Sequence, residues 1–104
     1  MNTEAITGFQ TRVAKHAALA DPARLRIVDL LTLGDFSPTE LQAELGMPSN
    51  LLSHHLKVLR EADLVISQRD GKGVKYALAR GVELGRSHNG INLGCCSLTF
   101  KRVP

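Results

Sequence analysis

No uninterrupted apolar run in this sequence is long enough to cross a bilayer. The N-terminus lacks a basic segment followed by an apolar core, so no secretory signal is expected and the expected compartment is the cytoplasm. There are only two cysteines, Cys95 and Cys96, and they are adjacent. Neighbouring Cα atoms lie about 3.8 Å apart, below the usual disulfide window of about 4.4–6.8 Å, so the pair is a poor structural staple. A Cys-x-x-Cys motif, a phosphate-cradling glycine loop and a nucleophile–base constellation are all missing, and the chain reads as a non-enzyme. At 104 residues it is long enough to bury one core, and its hydrophobic fraction is ordinary for a soluble fold.

Acidic charge is scarce in one half. Residues 1–48 carry four Lys or Arg against six Asp or Glu, a net charge of −2. Residues 49–104 carry nine against four, a net charge of +5. An excess of one sign in one region favours a polyanionic partner.

The basic half opens with Ser49 to Asp63, which has no internal Gly or Pro and reads as a helix. Leu52, Leu56 and Leu59 fall at i, i+4 and i+7 and share one face. Asn50, Ser53, His54 and Lys57 fall on the opposite face, with no acidic residue before Glu61. A solvated face is the bland reading. A face made only for solubility more often mixes both charge signs, and this one carries donors and acceptors sized for base edges beside a cation for a phosphate.

Upstream, the spacing predicts three more helices. Thr3 caps a helix over 4–19, with Ile6, Phe9, Val13 and Ala17 as an apolar stripe that serves as core or as a dimer seam. Asp21-Pro22 starts a second helix, with Ile27, Leu30 and Leu31 buried, Leu25 and Val28 widening that face, and Gly34 as a left-handed cap. Asp35-Phe36 follow as a single edge rung. Ser37-Pro38-Thr39-Glu40 is a capping box opening a short helix that packs Leu41 and Leu45 inward and stops at Gly46. A short helix, a tight turn and a longer helix with a polar outer face have the layout of a helix-turn-helix.

After that helix, 64–69 and 74–79 read as two strands around the turn Asp70-Gly71-Lys72-Gly73. Leu64 and Ile66, then Val74, Tyr76 and Leu78, alternate inward. Arg69, Lys72 and Lys75 lie near the tip. A basic hairpin behind such a helix acts as a wing that reaches phosphates beside it. The fold class is therefore mainly α with a β-hairpin wing (α+β), a winged helix-turn-helix over 1–80, followed by a glycine-rich tail over 81–104.

Ala20 to Ile27, Leu45-Gly46, Ser53 to Val65 and the hairpin ending Tyr76-Ala77-Leu78 together resemble the ArsR/SmtB family, most closely its arsenic-responsive type with C-terminal vicinal cysteines. The resemblance runs from about residue 17 to residue 79. It implies a homodimeric repressor on inverted-repeat double-stranded operator DNA that leaves the operator on binding a metal or metalloid ion. Carried over, the DNA-facing positions are Ser49, Asn50, Ser53, His54 and Lys57. The match departs from common family residues at Pro48, Ser49 and Leu51. His55 falls nearer the buried side and reads as a packed or hydrogen-bonded histidine.

Of the ligand positions the family uses, a Cys-x-Cys at the third helix aligns with Ser37 and Thr39, and the tail has no recurring i, i+3 pattern of His and carboxylate. Gly81, Gly85, Gly90 and Gly94 make a long tail helix costly, at about 1 kcal/mol each against Ala. Ser97 to Phe100 alternates like a strand. Cys95 and Cys96 then remain as candidate ligands for a soft, thiophilic inducer, As(III) or Sb(III), with no organic cofactor. A repressor answering to thiol oxidation, or to another soft metal ion, stays open beside it.

Overall fold

The computed structural model describes residues 13–79, 82–84, 90–92 and 97–99. Helix α1 covers 13–19 of these, followed by α2 (Pro22–Leu31), α3 (Pro38–Leu45) and α4 (Ser49–Glu61). Strands β1 (Val65–Asp70) and β2 (Gly73–Leu78) pair antiparallel, Val65 opposite Leu78 and Asp70 opposite Gly73. Three short strands follow: β3 (Glu83–Leu84), β4 (Gly90–Asn92) and β5 (Ser97–Thr99), in the order β3-β4-β5. The winged helix-turn-helix expected from the spacing is thus the observed fold.

Local chemistry sets the helix starts. The Asp21 carboxylate accepts from the backbone N–H groups of Ala23 (2.8 Å) and Arg24 (3.2 Å), and Pro22 occupies the first turn. At α3 the capping box is complete. Ser37 Oγ accepts from the Glu40 N–H at 3.1 Å, and the Ser37 N–H donates to the Glu40 carboxylate at 3.0 Å. Gly46, at φ 63°, closes α3 in the left-handed region that glycine enters without penalty.

Helix ends depart from expectation twice. Gly34 does not cap α2. The helix stops at Leu31, and Thr32, in right-handed geometry, is the cap; its hydroxyl donates to the Asp29 carbonyl at 2.5 Å. Side-chain back-bonding satisfies an end carbonyl before the glycine is reached. Helix α4 ends at Glu61 rather than Asp63, which lies at φ 58°. The Leu64 N–H bonds Leu59 O and the Asp63 N–H bonds Arg60 O, the pairing of a Schellman end with aspartate in the usual glycine place.

The core gathers Ile27, Val28 and Leu31 of α2, Leu41 of α3, Leu52, Leu56 and Leu59 of α4, and Leu64 and Val65 at the wing base. Leu30 and Leu45 are half-buried against it, and Leu25 is half-exposed. Val82 joins this cluster. Phe36 forms the single expected rung, bridging Tyr76 through both backbone bonds (3.0 and 2.7 Å).

Two apolar patterns are corrected. In α1, Val13 and Ala17 face outward, and Ala18 with Leu19 turns to the core; Ile6 and Phe9 lie outside the described residues. In the wing, Val74 is exposed, and Val65 and Ala77 are buried alongside the half-buried Ile66, Tyr76 and Leu78. The hairpin base is enclosed on both faces, so strict alternation fails there, and the free tip needs no inward face at all.

Both caps carry a pH signature. The backbone N–H of Arg24, with that of Ala23 and the nearby Arg24 guanidinium, holds the Asp21 carboxyl below the usual aspartate range. The Ser37 backbone N–H, then its side chain, does the same for Glu40. A depressed folded pKa stabilises above the unfolded value and loses that contribution as pH falls through the folded one. Melting temperature is therefore expected to drop below about pH 4. The double variant Asp21→Asn, Glu40→Gln should show a shallower drop; an unchanged acid slope would contradict the assignment.

Candidate nucleic-acid interface

Helix α4 is locked by one face. Leu52, Leu56 and Leu59 are buried, so the opposite face has a fixed direction. Asn50, Ser53, His54 and Lys57 are all exposed on it, as the sequence pattern predicts, and Ser49, added by the resemblance, is exposed at the helix start. The glycine turn through Gly46, Met47 and Pro48 delivers α3 into α4, whose cap, Pro48, contributes no side-chain bond. The first-turn backbone N–H groups of α4 therefore carry no side-chain cap.

A buried polar link orients the helix from behind. His55 is 6% exposed, and its Nδ1 lies 3.3 Å from Arg24 Nη1. A guanidinium only donates, so Nδ1 accepts and the ring proton belongs on Nε2. Arg24 Nε donates to the Ala18 carbonyl at 2.6 Å. One arginine thus ties the C-terminal end of α1 and the start of α2 to the middle of α4. His55 is the hydrogen-bonded histidine expected. The role of Arg24 escaped the sequence reading, because no periodicity marks a side chain that meets two other helices. The His54 and His55 rings lie 5.7 Å apart, tilted 56°.

The wing cations divide. Strand pairing sets Arg69 opposite Val74 and Lys75 opposite Gln68. Arg69 and Lys75 therefore leave opposite faces of the hairpin. Lys75 sits 3.7 Å from Asp70 in a solvent-exposed ion pair, worth little to stability but enough to occupy part of its charge. Arg69 and Lys72 are exposed, and among the described residues neither has an ion-pair partner. Lys72 stands at the tip in a two-residue turn. Its neighbour Gly71 has φ 63° and Lys72 does not have a positive φ, the pattern of a type II′ hairpin.

Cys95 and Cys96 lie outside the described residues. Among the described residues no three His, Cys, Asp or Glu side chains come together as a metal site, and no helix is long and apolar enough to cross a membrane.

A profile for a helix-turn-helix domain matches residues 19–68. The regulator CmtR of Mycobacterium tuberculosis is 45% identical over 62 residues, which cover 60% of this chain and 52% of that protein. The chain spans about half the length of the curated relatives it matches. The crystal structure of Rv0081 from M. tuberculosis superposes with a TM-score of 0.63 at 39% identity, covering 68% of this chain and 72% of that one. The homodimeric winged helix-turn-helix DNA-binding domain of Mb0332 from Mycobacterium bovis gives a TM-score of 0.71 at 26% identity, covering 76% and 73%. With kinship over the motif and agreement in three dimensions pointing the same way, this chain belongs to the ArsR/SmtB family of winged helix-turn-helix transcriptional regulators.

Proposed function

We propose that the protein is a homodimeric repressor. It reads an inverted-repeat operator with α4 in each major-groove half-site, and it releases the DNA when a thiophilic ion binds Cys95 and Cys96. The observation that carries the DNA-binding part is the exposed stripe of Asn50, Ser53, His54 and Lys57, aimed outward by a leucine face buried behind it, with Ser49 exposed where the helix begins. Arg69 and Lys72 supply phosphate contacts beside it, and Lys75 contributes less because Asp70 holds it. Homodimerisation of the Mb0332 domain, and the outward turn of Val13 and Ala17 on α1, support a second copy seated there.

The inducer reading rests on residue chemistry. Two adjacent thiols can exchange two hydroxides of arsenous acid for two As–S bonds, releasing two waters. The third position keeps hydroxide or takes a further thiol. Capture in the glycine-rich tail, 81–104, shifts the spacing of the two α4 helices. A coupling of about 1–3 kcal/mol suffices when the operator is modestly saturated.

The test is a gel shift of the full chain on its own upstream DNA, with and without arsenite. A salt-sensitive shift is expected, relieved by arsenite for the native chain and persistent in the Cys95→Ser, Cys96→Ser double variant. Equal relief in the double variant would remove the sensor assignment. Release by peroxide without response to arsenite would replace it with thiol oxidation. No shift at any salt concentration would remove the DNA-binding reading.

A further inference from the structure

We infer that Leu51 is a specificity-determining residue that packs against the 5-methyl group of a thymine in each half-site; the inference rests on the DNA-binding reading above. Among the described residues four large hydrophobic side chains are exposed: Val13, Leu33, Leu51 and Val74. Only Leu51 belongs to α4. It is 43% exposed in the helix's first turn, and the core does not require it, because Leu52, Leu56 and Leu59 already fill the inward face.

Its surroundings set its place. Of its two neighbours one turn further on, His54 is exposed and His55 is buried, so Leu51 sits on the border between the outer and inner faces of α4, at the edge of the polar stripe. Helix-turn-helix proteins enter the major groove with the N-terminal residues of the second helix. On base-pair edges there, hydrogen-bonding groups are everywhere, and the thymine methyl is the one apolar feature. An apolar side chain at the edge of a hydrogen-bonding stripe therefore has one complementary target. Leaving it against water, or against a cytosine amino group, forfeits the contact.

The experiment selects duplexes from a randomised library with the full native chain, then replaces each thymine of the enriched site by deoxyuridine, which removes only the methyl. Affinity is read by anisotropy for the native chain and for Leu51→Ala. One thymine per half-site is expected to cost the native chain about fourfold when demethylated, the worth of one buried methyl, and about fifteenfold when both half-sites are changed. Leu51→Ala should show a comparable loss on normal DNA and no further loss at that thymine. Leu51→Ile, which keeps the apolar bulk, should retain the sensitivity, so the test stands even if the alanine variant is poorly folded. A native chain indifferent to every deoxyuridine would overturn the inference, as would a folded Leu51→Ala with the native profile. If the folded native chain enriches no sequence, it is the DNA-binding reading that fails first.

Discussion

Lys57→Glu is expected to lower affinity for the operator by about a hundredfold near physiological salt, with no loss of fold. Lys57 is exposed on the outer face of α4, beside Ser53 and His54 and far from the buried leucines. In the proposed dimer the substitution removes two phosphate contacts and sets two carboxylates against the backbone. At about 1.4 kcal/mol for each decade, a loss of about that size in each half-site yields two decades. The neutral variant Lys57→Gln should lose less, and its dependence on salt should be shallower by about one phosphate per half-site.

The same substitution should barely move stability. Its new like-charge neighbour at i+4 is Glu61, a pairing that costs about 0.2–0.5 kcal/mol, and Arg60 at i+3 offsets part of it. Circular dichroism melting checks this directly, alongside titration on the selected duplex. A folded Lys57→Glu that binds as tightly as the native chain would show that this face of α4 does not meet DNA. The result would then redirect attention to the wing, where Arg69 and Lys72 remain exposed.

What could be read in the sequence follows from the range of each signal. Asp21-Pro22, the box from Ser37 to Glu40, and Gly46 are settled within one helical turn, and all three stand where the residues indicate. The two faces of α4 were equally legible, because period and burial agree over thirteen residues. Signals that depend on competition were not. Gly34 is a plausible cap until the Thr32 hydroxyl reaches the Asp29 carbonyl first. Asp63 accepts a left-handed backbone that aspartate tolerates but does not advertise. Parity in the wing depends on strand register, so proximity in sequence grouped Arg69 with Lys75 although pairing sends them to opposite faces. Least visible was Arg24, whose bonds to Ala18 and His55 exist only once three helices meet. The stripe of α1 has the period of a buried face, yet period alone does not say which surface buries it.

Leu59→Ala tests the other face of the same helix. Leu59 is fully buried in the cluster that joins α2, α3, α4 and the wing base. Truncation removes its transfer free energy and leaves a cavity that rigid helices only partly close, a cost of about 2–5 kcal/mol. Domains of this size have roughly 5–15 kcal/mol in all, so the melting temperature should fall by roughly 10–25 °C. Where the variant is still folded, its affinity for DNA should stay within about twofold of native, because nothing on the outer stripe has changed. Lys57→Glu predicts the reverse: near-native melting and binding weakened about a hundredfold. The two outcomes together would show that α4 holds the domain with one side and leaves the other free for recognition. A Leu59→Ala protein that melts like the native chain would instead mean that the core does not depend on this helix. The fixed direction of its polar stripe, from which the reading of the interface is drawn, would then have no mechanical basis.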